Sequence, residues 1–119
     1  MQSMALTTIL IDGLNFEGPR IFGKDEIPAV PAIALICTEA GEGMKIMSIV
    51  HDGKDIASNI ANNPKMGCWK SHAFHGNIDV YLNFDDMSED KREQFRINGI
   101  AKRKQYIFCD ELPKIEDDW

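Results

Sequence analysis

Three side chains of the kind that bind zinc fall within eight residues of this chain: Cys68, His72 and His75. Zinc takes four protein ligands, or three and a water molecule. The Cys-x3-His-x2-His spacing is not usual for a structural zinc site. A fourth ligand would have to come from far along the chain, and the candidates are His51, Cys37 and Cys109. Surface histidines beside a packed cysteine are the simpler interpretation, so we expect no metal and no other cofactor.

The cysteines suggest thiol chemistry only weakly. The chain has three of them, and an odd, sparse set without framework spacing is typical of reduced thiols in a cytosolic protein. Cys37 and Cys109 lie in apolar stretches, which favours small buried hydrophobic side chains. A nucleophilic thiolate at Cys68 or Cys109 would need a histidine beside it, and nothing local distinguishes such a thiolate from a packed thiol.

Basic residues offer a third chemistry, the binding of nucleic-acid phosphate. Arg92, Arg96 and Arg103 recur at spacings that share one face of a predicted helix. The other candidates are Lys65, Lys70, Lys91, Lys102 and Lys104. Glu89 and Glu93 lie nearby and can pair with the arginines, so we favour a solvated, ion-paired face. The net charge of −6 also opposes binding to phosphate unless the basic residues are segregated.

Other catalytic patterns do not occur in the sequence. It has no glycine-rich phosphate loop and no Ser-His-Asp signature, and the adjacent acids Asp85 and Asp86 before Ser88 are typical of a turn. The ending, residues 110–119, contains five acids and Lys114, and hence four of the six net negative charges. We expect it to be a solvated, partly mobile tail.

The strands that would position these residues are indicated by apolar runs and by alternation. Residues 77–84 alternate cleanly and predict the best strand of the chain. The apolar run 32–37 predicts a buried central strand, which forms a hairpin with 44–50. Residues 5–11 could add an edge strand, and residues 12–31 are rich in glycine and proline and predict an irregular lead-in.

Helices are predicted between and after these strands. Asp52 can cap a helix over 54–62, and a short helix over 65–73 carries Trp69. Ser88 caps a longer helix that ends in basic residues 102–104, although Gly99 inside it costs up to ~1 kcal/mol relative to alanine. Residues 106–109 predict a last short strand.

These elements predict one α+β domain over residues 1–119, with its core at about 9–111 and the acidic tail at 110–119. The predicted architecture is a three-stranded antiparallel sheet flanked by helices, in the order β-β-α-α-β-α. No apolar run approaches the ~20 residues that span a bilayer, and the start lacks the basic region of a secretory signal. We therefore expect a cytoplasmic protein without membrane contact.

Several segments resemble a bacterial branch of the GIY-YIG nuclease family. The most specific are Phe16-Glu17-Gly18-Pro19 and Cys68-Trp69-Lys70; segments 11–19 and 27–37, and Gly76 before a strand, add to them. The resemblance extends over roughly residues 9–111. It implies the family's fold and its activity, phosphodiester hydrolysis with two tyrosines, an arginine, often a histidine, and a glutamate that holds one divalent metal ion.

This chain departs from that pattern at each catalytic position. The two tyrosines correspond to Ala34 and Ile49, the arginine to Asn59, and the glutamate to Asn98. Alanine and isoleucine cannot move a proton, and asparagine is neither a cation nor a strong metal ligand. The degenerate site, which we expect to bind rather than catalyse, consists of His51, Asn59, Asn63, Lys70, His72 and Asn98.

The resemblance therefore predicts a nuclease-like binding module without catalytic activity. Its partner is expected to be a protein or a second copy of the chain rather than nucleic acid, and an inhibitor of a nucleic-acid enzyme or of a host-defence system would fit. Three alternatives stay open. One is nucleic-acid binding without cleavage, the second is residual phosphodiesterase activity that uses His51 as a base, and the third is an oligomer in which Trp69 or Trp119 is buried at an interface.

Overall fold

A five-stranded antiparallel sheet with helices packed on it forms the fold, in a computed structural model that describes residues 6–39, 43–104, 107, 109 and 110. The strands are β1 (Thr7–Ile11), β2 (Leu14–Ile21), β3 (Ala32–Glu39), β4 (Met44–Asp52) and β5 (Asp79–Asn83). The helices are α1 (Ile56–Ala61), α2 (Met66–His72) and α3 (Glu89–Lys102), with a single 3-10 turn at Phe74–Gly76. The α+β class is confirmed, but the sheet has five strands where the sequence predicted three.

The strands lie in the order β1-β2-β5-β3-β4. β3 is paired with β5 on one side and β4 on the other, and seven of its eight residues are buried. Burial on both faces explains why this strand is a continuous apolar run rather than an alternating one. The predicted hairpin of β3 and β4 is confirmed, and the alternating strand over 77–84 is present as β5.

The predicted irregular lead-in is wrong, because much of it is β2. Asp12 (φ 51°) and Gly13 (φ 88°) form the two-residue turn between β1 and β2, the positive-φ geometry for which Asp-Gly is favoured in hairpins. Pro19 lies where the register between β2 and β5 shifts, a position at which a strand tolerates proline. At Gly18 a Cβ atom would come within 2.7 Å of the Tyr81 ring, so glycine lets β5 approach.

Polar side chains begin two of the helices. Asp55, and not the predicted Asp52, caps α1 by accepting a hydrogen bond from the Ser58 backbone N–H at 2.9 Å. Asp52 instead accepts from the backbone N–H groups of the two residues before the helix, Lys54 and Asp55. The cap of α3 is the predicted one, since the Ser88 hydroxyl accepts from the Lys91 N–H.

Two apolar clusters hold the helices on opposite faces of the sheet. α1 and α2 pack on one face, where the first cluster includes Met47 and Trp69. α3 packs on the other face, where the second includes Ile49 and Ile100. Trp69 is fully buried within the chain, so the proposal that it lies at an oligomer interface is wrong; Trp119 lies outside the described residues.

The described residues after α3 pack against the edge strand β4. The Cys109 N–H donates to the carbonyl of Met47, the residue at which β4 bulges against β3. Asp110 is buried, so the predicted solvated tail does not begin there. Of the short strand predicted over 106–109, only Ile107 and Cys109 are described, and neither is in a strand. Among the described helices, none is long and apolar enough to cross a membrane.

Candidate functional site

His51 and Glu93 form the centre of the candidate site. His51 lies near the end of β4, and Glu93 lies on α3, which packs across that strand. The imidazole Nε2 and the carboxylate Oε1 are 2.8 Å apart, and the imidazole is only 15% exposed. A histidine held by a carboxylate in this way has a fixed ring orientation, which is what acid–base chemistry requires of it.

Arg96 engages the same carboxylate from the next turn of α3. Its Nε donates to Glu93 Oε1 at 2.9 Å, and its second guanidinium nitrogen donates to Oε2 at 2.6 Å. The hydrogen bonds from Arg96 are the main reason why the pKa of Glu93 falls to about 2, and the contact with His51 lowers it further. The ion pair in turn raises the pKa of Arg96. Glu93 is therefore charged at neutral pH, and both of its oxygens accept hydrogen bonds.

A second ion pair completes the cluster on the other side of the imidazole. Glu89 Oε2 lies 3.7 Å from His51 Nδ1, and its Oε1 accepts a hydrogen bond from Arg92 at 2.8 Å. Gly53 lies against this carboxylate, because a Cβ atom there would come within 2.9 Å of the Glu89 carboxyl carbon. Within the described part of the chain, His51 Nδ1 and Arg92 Nε are buried without a hydrogen-bond partner. We call His51, Glu89, Arg92, Glu93 and Arg96 the histidine cluster.

An open groove of about 480 Å³ borders the histidine cluster. Arg92, which belongs to the cluster, lines the groove together with Gly53 and the two acids Asp85 and Asp86. The acids give the groove mixed charge, which does not suit an anion such as a phosphate. Its remaining lining residues are Val30, Pro31, Phe84 and Met87.

Three residues of the predicted degenerate site lie together. The Asn59 side-chain amide donates to the His51 carbonyl and to the Asp52 carboxylate, both at 3.3 Å. Asn63 donates to the Asn59 side-chain oxygen, also at 3.3 Å. These amides fix the turn between β4 and α1, and the backbone N–H of Asp55 is the main cause of the lowered pKa of Asp52. Their hydrogen bonds serve the local structure.

The other three predicted residues lie in other groupings. Lys70 and His72 are exposed on α2, where His72 Nδ1 lies 3.6 Å from the sulfur of Cys68. Asn98 is exposed on α3, and its side-chain oxygen accepts a hydrogen bond from Gln94. The positions that correspond to the family's tyrosines are in the core, since Ala34 and Ile49 are 0% and 1% exposed.

The predicted ion-paired face of α3 is present in the structure. Besides the two arginines of the histidine cluster, Arg103 makes two hydrogen bonds of 2.8 and 2.9 Å to the carboxylate of Asp12, whose pKa they lower. Lys65 on the other face of the sheet contacts Asp110 at 2.7 Å. The sequence placed Glu89 and Glu93 beside the arginines but gave no sign that they meet His51, 42 residues from Glu93.

The expectation of reduced thiols is wrong for two of the three cysteines. Cys68 on α2 and Cys109 form a disulfide with a Cα–Cα distance of 5.9 Å. In this form neither sulfur is a nucleophile. Cys37 is the free thiol, and its burial in β3 raises its pKa well above the ordinary value, as the prediction of a packed thiol requires.

Comparisons with protein-family models, with curated proteins and with solved structures find no match for this chain. The resemblance to the GIY-YIG family therefore stays a prediction.

Proposed function

We propose that this chain is a catalytically inactive binding module with a GIY-YIG-like core, and that it acts through contacts with protein. The order of elements supports the resemblance in part. From β3 to α3 the chain runs strand, strand, helix, helix, strand, helix, with β3 between the other two strands, and β1 and β2 precede this unit.

The state of Glu93 carries the proposal that no cleavage takes place. Metal-dependent phosphodiester hydrolysis needs a carboxylate that is free to hold a divalent cation. Glu93 is the acid nearest to His51, and both of its oxygens already accept hydrogen bonds from Arg96. A guanidinium at 2.6 Å competes with a cation for the same oxygens and repels it. Glu89 is held less completely, since Arg92 donates to its Oε1 alone.

The free edge of the sheet supports contact with protein. In the described part of the chain, β1 pairs with β2 alone, so one row of its backbone N–H and C=O groups is unpaired within the sheet. Leu6 and Leu10 on this edge are 43% and 68% exposed. The net charge of −6 suits a basic partner, and an enzyme that acts on nucleic acid, including one from a host-defence system, has such a surface.

Incubation with supercoiled plasmid DNA in Mg²⁺ or Mn²⁺ tests the absence of cleavage. We expect the DNA to stay supercoiled at all protein concentrations. Metal-dependent nicking that His51→Ala abolishes and His75→Ala leaves intact would overturn the proposal. His75 is a suitable control because it is exposed in the 3-10 turn before β5 and is not part of the histidine cluster.

Residual phosphodiesterase activity is the second candidate, and the contact between His51 and Glu93 favours it. A carboxylate-oriented imidazole can take a proton from water through its second nitrogen. That nitrogen, His51 Nδ1, is buried, so the side chains around it would have to move before water could reach it. This candidate predicts nicking that persists in a chelator, because no step needs a metal ion. Loss of that nicking in both His51→Ala and Glu93→Gln would support it, and intact DNA in chelator excludes it.

Nucleic-acid binding without cleavage has less support, because the arginines that would contact phosphate are paired with acids. Such binding would weaken steeply with salt, since each phosphate contact releases counterions. We expect no shift of a labelled DNA duplex at low salt. A salt-dependent shift that Lys70→Ala weakens would favour this alternative.

A further inference from the structure

A disulfide and a histidine lie together at α2, on the face of the sheet opposite to α3 and the histidine cluster. One ligand atom from each of Cys68, His72 and Cys109 falls within 4.8 Å of the others. The sequence suggested Cys68 and His72 together with His75, and the fold replaces His75 by a cysteine from beyond α3. We propose that the reduced form of this chain binds a zinc ion through Cys68, His72 and Cys109. This proposal does not depend on whether the chain cuts nucleic acid.

The two ligands on α2 already have the separation that zinc requires. Cys68 and His72 are four residues apart and therefore neighbours on one face of the helix. The sulfur and Nδ1 are 3.6 Å apart. A tetrahedral zinc ion with bonds of about 2.3 Å to sulfur and about 2.0 Å to nitrogen places these two atoms about 3.6 Å from each other.

Cys109 needs only a small side-chain movement to become the third ligand. Two thiolates on a tetrahedral zinc ion are about 3.8 Å apart, so the sulfurs must separate once the bond between them is reduced. The backbone around Cys109 is held by other contacts, because its N–H donates to Met47 and the next residue, Asp110, accepts from Ser48 and Ile49. These contacts keep Cys109 beside Cys68 without the disulfide.

His72 Nδ1 must give up its contacts with the Cys68 carbonyl and the Ser71 hydroxyl to bind the ion. This nitrogen lies 3.0 Å from the Cys68 carbonyl, to which a protonated Nδ1 donates. Zinc needs the other tautomer, with the proton on Nε2 and the Nδ1 lone pair directed at the metal. His72 is exposed and both cysteines are partly exposed, so solvent can reach the ion. We therefore assign the fourth position to a water molecule, as in zinc sites with three protein ligands.

The chemistry balances with one reductant. A phosphine attacks one sulfur, the sulfur–sulfur bond breaks, and hydrolysis by water gives two thiols and the phosphine oxide. Zinc then binds the two sulfurs as thiolates, and two protons leave to solvent. The disulfide and the zinc site exclude each other, because a disulfide sulfur is not a thiolate ligand.

Cobalt(II) is the probe, since it adopts the same geometry and its thiolate complexes absorb in the near ultraviolet. The protein is reduced with a phosphine, separated from it under nitrogen and titrated with CoCl₂. We expect one Co²⁺ per chain, thiolate charge-transfer absorption and visible bands of a four-coordinate ion. Zn²⁺ should abolish this spectrum, and the disulfide form should not produce it.

Four variants assign the ligands. Cys68→Ser should remove at least half of the charge-transfer absorption, because it removes one of two thiolates. His72→Ala should weaken Co²⁺ binding at least tenfold, because it removes one of three protein ligands. His75→Ala and Cys37→Ala should behave like the unaltered chain, since neither residue gives a ligand atom to the cluster. If the cysteine variants fail to fold, the comparison of His72→Ala with His75→Ala still tests the proposal. His72 is exposed, so its replacement should leave the fold intact. A reduced chain without the absorption, or His72→Ala that binds as tightly as His75→Ala, overturns the proposal.

Discussion

The carboxylate of Asp110 lies 2.6 Å from the hydroxyl of Ser48, although 62 positions separate the two residues in the chain. The same hydroxyl accepts a hydrogen bond from the Trp69 indole N–H at 2.8 Å. The other carboxylate oxygen accepts from the Ile49 backbone N–H, and Lys65 reaches the group from the surface. The Asp110 side chain is completely buried, so these contacts replace all of its hydration. They attach the chain after α3 to the edge strand β4.

We predict that Asp110→Ala lowers the free energy of unfolding by about 3 kcal/mol. The change removes a buried, charged hydrogen-bond acceptor. The Ile49 N–H and the Ser48 hydroxyl then stay buried without the partner to which they donate. Urea denaturation followed by tryptophan fluorescence, to which Trp69 and Trp119 both contribute, measures the loss.

Asp86→Ala is the matched control. Asp86 is exposed in the loop before α3, and we expect its removal to change the free energy of unfolding by less than about 0.5 kcal/mol. Equal effects of the two substitutions would show that the contacts of Asp110 do not stabilise the fold.

The elements that the sequence predicted well are those with strong local signals. β5 alternates between apolar and polar residues, and α3 has a serine cap followed by two acids, so pattern and capping agree with the fold. β2 was missed because Gly18 and Pro19 resemble a loop. Both residues fit this strand because of tertiary contacts, which the local sequence does not show. Gly18 leaves room for Tyr81, and Pro19 lies where the register between β2 and β5 shifts.

The candidate site was less accessible to sequence reasoning, because its contacts join distant segments. His51 meets Glu93 only after α3 has packed across β4, and Cys68 meets Cys109 only after the chain beyond α3 returns to that strand. No local pattern reports either event. Asn59 and Asn63 lie near His51 because they belong to the same strand-to-helix region of the chain, and a binding role for the three residues stays a prediction.

Gly99→Ala should destabilise the fold by about 1–3 kcal/mol, although alanine is the better helix former. A Cβ atom at Gly99 would lie 2.5 Å from Cδ1 of Ile49, which is buried and has little room to move. Gly67→Ala is the control, because Gly67 lies within α2 with no atom within 4 Å of the added Cβ. It should raise the free energy of unfolding by about 0.5–1 kcal/mol. Thermal unfolding measures both variants. If both substitutions raise the stability, or both lower it, the packing argument is wrong.

Glu93→Gln should change how stability depends on pH. The pKa of Glu93 falls from 4.5 to about 2 in the folded chain, so its ionised form stabilises the fold above pH 4.5, and this contribution is lost as the pH falls towards 2. The carboxylate is 40% exposed, and screening by solvent limits the contribution to about 1 kcal/mol. The stability difference between the chain and the variant should therefore shrink between pH 4.5 and 2.

A double-mutant cycle with Arg96→Ala isolates the source of that difference. The coupling between Glu93 and Arg96 should be favourable at pH 6 and close to zero at pH 2. At pH 2 the carboxyl group is about half protonated in the folded chain and almost fully protonated in the unfolded chain. A coupling that does not change with pH would mean that packing of the two side chains, and not charge, stabilises the contact.

Leu10→Lys should prevent the chain from pairing with a second copy through β1. Residues 6–11 contain no charge, and in an antiparallel pair centred on Thr8 the exposed Leu6 of one copy faces Leu10 of the other. We expect light scattering at high micromolar concentration to give a mass near twice 13.4 kDa. The variant should return to the monomer mass, because lysines on an edge strand oppose pairing. Phe74→Lys, which alters an exposed aromatic outside the sheet, should leave the dimer intact. A monomer in the unaltered chain, or equal effects of the two lysines, would rule out β1 as the contact.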